Sequence, residues 1–256
     1  MLKLRIMKKQ GLMWMCSLLF CGAMAQAQLL VNRTLVKFNV SGAVFKNYTA
    51  QYERIISKNS SITFSAGVSL NAPLPFKQAL MDRFSDNADA VRAINTTLFT
   101  KYTGTLEYRF YLAGHAPTGW YLAPFVRYIN MTIDQNYTYT DKKGVLHHPN
   151  LKAQFNAGGA GVLLGYQWMF GKRVGLDLWL LGPFYGTNVK ADFVGNDPLW
   201  QQLTAEDIQN IRRDITSTKL PGYTAVDKIN LPTIEAVLEG PYYGVRAFGL
   251  ALSYRF

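Results

Sequence analysis

The stretch YGVRAFGLALSYRF, Tyr243–Phe256, decides the fold. Near its end Phe248, Leu250, Leu252, Tyr254 and Phe256 share one parity, while Gly249, Ala251, Ser253 and Arg255 share the other. A period of two belongs to a β-strand, whose successive side chains point to opposite faces. One face here is large and apolar and the other is small or polar. That is the pattern expected of a strand with lipid outside and a narrow lumen inside.

The same alternation recurs seven times upstream. Val36, Phe38 and Val40 alternate with Lys37, Asn39 and Ser41, and Tyr48, Ala50 and Tyr52 with Thr49, Gln51 and Glu53. Ile62 to Leu70 alternates with Thr63, Ser65, Gly67 and Ser69, and Leu106 to Leu112 with Thr105, Glu107, Arg109 and Tyr111. Trp120 to Tyr128 alternates with Tyr121, Ala123, Phe125 and Arg127, and Val162 to Trp168 with Gly161, Leu163, Gly165 and Gln167. The weakest case sets Leu176, Leu178 and Leu180 against Asp177, Trp179 and Leu181. A soluble sandwich also alternates, but it rarely needs so many glycines and alanines opposite its apolar face. Small inward residues suit a narrow, curved barrel. The connections strengthen this reading. Short turns at Ser57–Ser60, Gly114–Gly119 and Gly171–Arg173 alternate with long loops at about 74–97, 139–152 and 194–240. Outer-membrane barrels have short periplasmic turns and long outer loops. Only the first hairpin, near Phe45–Asn47, breaks the rule by being short.

The N-terminus reads as an export signal, residues 1–27, cleaved before a single barrel domain, 28–256. Lys3, Arg5, Lys8 and Lys9 form a basic n-region, Leu12 to Phe20 a short apolar stretch, and Ala25-Gln26-Ala27 a small-x-small cleavage site. Met7 is an alternative start, and lipidation at Cys21 an alternative ending of the signal. Both cysteines, Cys16 and Cys21, fall in this segment, which excludes a disulfide framework and Cys-ligated metal from the mature chain. Without the four basic residues of the n-region the net charge falls from +11 to +7. Those charges are spread along the chain, as on a solvated surface or a basic rim facing lipopolysaccharide. Nucleic acid is not an expected partner. Aromatics make up 14% of the chain and charged residues only 17%, below the usual quarter of a soluble protein. After the signal no apolar run is long enough for a transmembrane helix, so strands are the remaining way across a bilayer.

The closing GLALSYRF resembles the outer-membrane assembly signal read by the barrel-assembly machinery, with Leu250, Leu252, Tyr254 and Phe256 as its residues. YER (52–54), LEYRFYL (106–112), GWYLAPFVRY (119–128) and GYQW (165–168) resemble small Bacteroidetes outer-membrane barrels of a domain-of-unknown-function family. Roughly 35–256, apart from the loops, shares the likeness. It implies an OmpA-like eight-stranded barrel without the soluble periplasmic domain, and it lends no activity.

The expected fold is all-β: an eight-stranded antiparallel transmembrane up-and-down barrel with short helices in its outer loops. Both termini would lie in the periplasm, where Phe110, Trp120, Trp168, Phe170, Tyr254 and Phe256 would form an aromatic girdle. The expected lumen network is Lys37, Glu53, Glu107, Arg109, Arg127, Asp177 and Arg255, four bases facing three acids. These could line a charged, narrow pore. They could instead pair and fill a lumen that eight strands leave too narrow for water flow, and the second reading is preferred.

Catalytic signatures are weak. His147-His148 in GVLHHPN has Asp141 in the same loop but no nearby serine, with Ser85 and Ser217 remote, and His115 lies in a turn. An outer-rim lipid acyl hydrolase or transferase is therefore the alternative function. No metal site or cofactor is expected. GGAG (158–161) lies within a strand and is no phosphate cradle. Two loops carry helical spacing: Phe76, Leu80, Phe84, Ala88 and Val91 in the first, and Ile208, Ile211 and Ile215 after a Thr204/Asp207 capping box in the last. They form either a lid over the mouth or a patch for an unidentified protein or ligand. The leading expectation is a non-enzymatic barrel that displays ordered loops, with outer-membrane lipid, lipopolysaccharide and the assembly machinery as partners. N-terminal sequencing of the exported protein is expected to read from near Gln28; a retained basic segment would contradict the signal assignment.

Overall fold

The last strand meets the first. In the computed structural model, which describes residues 33–256 except 75, 87, 113–114, 137–138, 141–143 and 218–222, Ser253 lies opposite Lys37 and Ala251 opposite Asn39. The expected signal segment and Asp141 lie outside the described residues. The strands are β1 (Thr34–Asn39), β2 (Tyr48–Ile55), β3 (Ser60–Pro73), β4 (Leu98–Tyr111), β5 (Gly119–Asn136), β6 (Tyr139–Thr140), β7 (Leu146–His147), β8 (Asn150–Phe170), β9 (Val174–Asn196), β10 (Thr224–Asn230) and β11 (Thr233–Arg255). Eight of them form an antiparallel ring in the order β1-β2-β3-β4-β5-β8-β9-β11, closed by β11 on β1. β6 and β7 make a small separate hairpin, and β10 pairs with the far end of β11. The architecture is therefore the expected eight-stranded barrel. Among the described residues no helix is long and apolar enough to cross a membrane.

Burial follows the alternation. On β2, Thr49, Gln51 and Glu53 are buried between exposed Tyr48, Ala50 and Tyr52; on β4, Thr105, Glu107, Arg109 and Tyr111 are buried. The polar parity points inward and the large apolar parity outward, the inverse of a water-soluble barrel.

Three expectations need correction. Leu181, assigned to the lumen face, is 55% exposed on the outside. The cause is a coherent change of phase on two paired strands. On β9 the inward residues run Asp177, Trp179, then Gly182 and Phe184; on β11 they run Ala251, Gly249, then Arg246. Ala247 pairs with Leu181 and Gly249 with Trp179, so the two strands shift together, while β8 keeps its phase and absorbs the difference as a register shift between Leu164 and Gly165. Second, Val40 and Ser41 are not in β1. They belong to a one-turn helix, α1 (Val40–Val44), that begins where the Asn39 side chain accepts the Gly42 N–H at 3.0 Å. Gly42 is required there, because a Cβ would lie 2.6 Å from the Asn47 carbonyl oxygen. Third, the last long loop is shorter than 194–240. β9 runs to Asn196 and β11 starts at Thr233, and the space between holds a 3₁₀ turn (Pro198–Gln202), a helix and β10.

Helices form in both loops that carry the spacing, but in the first the run breaks into two, with Phe76 and Phe84 just outside the ends of the first helix. The long connections share one end of the barrel. α2 (Lys77–Arg83) and α3 (Ala88–Thr96) lie between β3 and β4, and α4 (Ala205–Ser217) follows β9. The capping box closes reciprocally: Thr204 N donates to Asp207 Oδ2 at 3.0 Å and Asp207 N to Thr204 Oγ1 at 3.2 Å.

Unequal strand lengths leave one irregularity in the wall. β1 ends at Asn39, six residues long, whereas β11 has 23. β11 pairs with β9 along its whole length; its other edge meets β1 over 251–255 and β10 over 233–239. From Gly240 to Leu250 that edge pairs with no strand of the described residues. Helix α1 packs there instead, with the Leu250 N–H donating to Ser41 Oγ at 2.9 Å.

Gly165 faces Tyr121 across the β5–β8 ladder, and a Cβ on it would collide with the Tyr121 ring and the Leu178 carbonyl. Gly165→Val is expected to destabilise the barrel by about 1–3 kcal/mol through overpacking, read as a lower midpoint in heat- or urea-unfolding. An unchanged midpoint would show that the lumen is looser than this packing implies.

Candidate functional site

The lumen nearer the short turns holds a continuous ion network to which every strand of the ring contributes. Asp177 of β9 is its centre. Its Oδ2 lies 2.6 Å from Lys37 Nζ of β1 and 2.6 Å from Arg109 NH1 of β4, and its Oδ1 accepts the Tyr121 hydroxyl of β5 at 2.6 Å. Lys37 also meets Glu53 Oε2 of β2 at 2.6 Å and donates to Gln167 Oε1 of β8 at 2.8 Å. The other Glu53 oxygen accepts Ser61 of β3 at 2.5 Å and Tyr111 of β4 at 2.6 Å. Arg109 grips Glu107 Oε2 through Nε at 3.0 Å and NH2 at 2.8 Å, and the other oxygen of Glu107 takes Arg246 of β11. The Arg109 guanidinium lies over the Tyr121 ring at 4.5 Å, and that of Arg246 over Trp179 at 4.1 Å.

This arrangement sorts the seven expected lumen residues. Lys37, Glu53, Glu107, Arg109 and Asp177 come together and their side chains are fully buried. Arg127 points inward but stands apart, half-buried, donating to Thr105 Oγ1 at 3.1 Å. Arg255 shares the inward parity and lies half-buried at the end of β11. The third cation of the network is Arg246, absent from the expected list. With it, three cations meet three carboxylates within the network, and the excess of base lies outside it. Arg246 was hidden by the phase change on β11, which gives it the parity of outward Phe248. One signal existed: an arginine sharing parity with the large apolar residues Phe248, Leu250 and Leu252 marks a break of phase between Arg246 and Phe248.

Beyond the network the lumen divides. One side is packed with Phe125, Leu163, Phe184 and Ile129. The other keeps a cavity of about 530 Å³, bordered by Lys101, Arg127 and Arg246 and by the aromatic rings of Phe45, Phe76 and Trp179.

The loop histidine His147 has a carboxylate partner that the sequence did not point to, Asp197. His147 is buried, with Nδ1 2.9 Å from Asp197 Oδ2. The other oxygen of Asp197 accepts the Leu199 N–H at 2.9 Å, so this carboxylate caps the 3₁₀ turn and ties it to the β6–β7 hairpin. The pair reads as a loop fastener. Among the described residues no group of three His, Cys, Asp or Glu side chains is placed to hold a metal ion.

A model of the DUF3575 family, proteins of unknown function, matches residues 12–190, well over half of the chain. The chain belongs to the DUF3575 family. The match runs from the N-terminal segment through most of β9, and so includes Lys37, Glu53, Glu107, Arg109 and Asp177. It stops before β11 and Arg246. No curated protein matches the chain. DUF3575 membership carries no activity with it, so the functional reading rests on the geometry.

Removing one partner from a buried ion network strands the others in low dielectric, at a cost of about 3–5 kcal/mol. Arg109→Ala is expected to destabilise the barrel by this much while leaving permeability nearly unchanged, because neighbouring side chains still fill the lumen. Urea-unfolding of the purified barrel and planar-bilayer recording check the two halves. A stable variant that conducts strongly would contradict the plug.

Proposed function

We propose that this DUF3575 protein is a non-enzymatic outer-membrane barrel, with both termini in the periplasm, whose plugged lumen makes it a rigid platform for its outer loops. The observation that carries the reading is the inverted distribution of polarity. A neutralised set of six ionic side chains is sealed inside, while Phe38, Phe64, Leu106, Val126, Val162 and Leu252 are exposed on the outside. In water such a surface would be an aggregation hazard; in a bilayer it is the required lipid face.

Two aromatic bands support the same reading. Near the short turns Phe110, Trp120, Trp168, Phe170, Tyr254 and Phe256 are exposed, and Trp120 and Trp168 each pack on Tyr166. Towards the long loops Tyr48, Tyr102, Tyr128, Tyr185 and Tyr243 are exposed. Phe110 and Tyr102 on β4, and Trp120 and Tyr128 on β5, are separated by eight residues. At about 3.4 Å per residue and a tilt of about 40° this spans roughly 20 Å of barrel height, near the apolar band of outer-membrane barrels. The export-type N-terminus and the loop asymmetry agree. Lipid and lipopolysaccharide would be the immediate surroundings, and the assembly machinery would read Leu250, Leu252, Tyr254 and Phe256.

Expression in a Gram-negative host tests this. The protein is expected in the outer-membrane fraction, with an electrophoretic mobility that changes on heating and no sustained conductance in planar bilayers. Phe256→Ala is expected to lower the folded yield without changing the unfolding midpoint of what does fold. Recovery as a soluble protein would reject the membrane reading, and a large steady conductance would reject the plug. Unaltered lipid A by mass spectrometry is expected; a changed acyl pattern would favour the lipid enzyme.

A further inference from the structure

The cavity beyond the network combines three features with no part in closing the barrel. The first is charge. Lys101, Arg127 and Arg246 border it, and no carboxylate is among its described lining residues. Arg246 is answered by Glu107, but no ion pair joins Lys101 or Arg127 to an acid among the described residues. Hydroxyl and amide groups of Thr49, Ser65, Thr103, Thr105, Asn39 and Asn47 complete the polar part. This chemistry suits an anionic headgroup, which arginine and lysine bind through charge-assisted hydrogen bonds.

The second feature is the opening. The cavity also reaches Val245, Ala247 and Phe248 on β11 and Val44 and Phe45 at the end of α1. These flank the stretch of β11, Gly240 to Leu250, that meets no strand of the described residues on one edge. The wall is thus covered there by a one-turn helix and side chains, which can part without breaking a ladder. Phe248 is 69% exposed and Val44 78% exposed at this place. On β11 the gap lies between Ala251, where β1 ends, and the outer tyrosine band at Tyr243, so it would open towards the outer half of the apolar belt.

The third feature is strain. Phe76 also borders the cavity, and its backbone sits at φ 55°, a left-handed conformation that is unfavourable for a bulky residue. Its ring packs against Phe45 at 5.5 Å. Such outliers persist where the surroundings demand them and concentrate at ligand clamps. A volume of about 530 Å³ falls in the range of small-molecule sites, roughly 300–1,000 Å³.

We propose that this cavity binds a single-chain anionic amphiphile. Its carboxylate or phosphate headgroup sits between Lys101 and Arg127 with Arg246 behind them. Its apolar chain leaves through the unpaired stretch of wall between α1 and β11. The proposal rests on the membrane reading, since lateral entry requires a lipid phase.

The test uses the full chain folded into phosphatidylcholine vesicles and titrated with dibromostearate, whose bromines quench nearby tryptophan. Trp179 borders the cavity, so the difference between wild type and Trp179→Phe isolates its signal. Saturable quenching at one acid per chain is expected. Lys101→Gln combined with Arg127→Gln, both outside the ion network, is expected to weaken binding at least about tenfold, as is replacing the acid by the neutral dibrominated alcohol. Arg127→Lys should retain most of the affinity. Quenching that rises without saturating, equal binding of the alcohol, or indifference to the double substitution would each overturn the proposal. Displacement by inorganic phosphate at similar concentration would also overturn it, by making the site one for a free anion. If Trp179→Phe does not fold, native mass spectrometry of the wild type decides: one retained acid per chain supports the site and none refutes it. Failure of the chain to float with vesicles would reject the membrane reading and lateral entry together. Flotation without saturable binding rejects this proposal alone.

Discussion

The carboxylate of Asp177 holds the first, fourth, fifth and ninth strands of the chain to one point, through Lys37, Arg109 and Tyr121. Everything inside the ring follows from this convergence. An eight-stranded barrel leaves an interior just wide enough for side chains, so whatever points inward must fill it and must be electrically satisfied there. Each buried ion loses several kcal/mol of hydration, and a lumen built of ions is tolerable only if they neutralise one another. Lys37, Arg109 and Arg246 against Glu53, Glu107 and Asp177 meet that condition, with Tyr111, Tyr121, Ser61 and Gln167 supplying or accepting further hydrogen bonds. Buried ion pairs add little net stability over an apolar core, but they specify partners. Here they connect strands far apart in sequence, so a slipped register would bury a charge without its counter-ion.

The same constraint explains the division of the lumen. Where the acids end, Lys101 and Arg127 remain, with no ion pair to an acid among the described residues and with hydroxyl groups, the Phe99 ring and open space beside them. The wall beside them is the one place where β1 has stopped and β11 continues. Excess charge, free volume and an interrupted ladder thus coincide. A barrel that served only as an anchor would have no use for that coincidence, which is why the cavity, rather than the network, is where a ligand is proposed.

Much of this was legible in residue order. Parity alone assigned Glu53, Glu107, Arg109, Tyr111, Tyr121, Gln167 and Asp177 to the lumen, because in a strand parity is orientation. Turn lengths placed the loop end, and Thr204 with Asp207 marked the start of α4. Parity failed where a strand changed phase. Leu180 and Leu181 are both apolar and carry no mark of which one turns outward. On β11, Arg246 and Ala247 lie beyond the clean alternation that starts at Phe248, and no face was assigned to them. The His147 partner was missed for a different reason: Asp197 is fifty residues away, and only the packing of the 3₁₀ turn on the β6–β7 hairpin brings it near.

The sequence by itself determined the class of fold, the inward and outward faces of most strands, the end that carries the long loops, and five of the six ions of the network, because these depend on local periodicity and composition. Tertiary structure decided which ions pair, that Arg246 completes the charge balance of the network, that Arg127 is left out of it, and that one edge of β11 meets no strand of the described residues from Gly240 to Leu250. Those outcomes depend on register and on unequal strand lengths around a closed ring. No single strand contains that information, because each register is set by both neighbours and the last is set only when β11 meets β1.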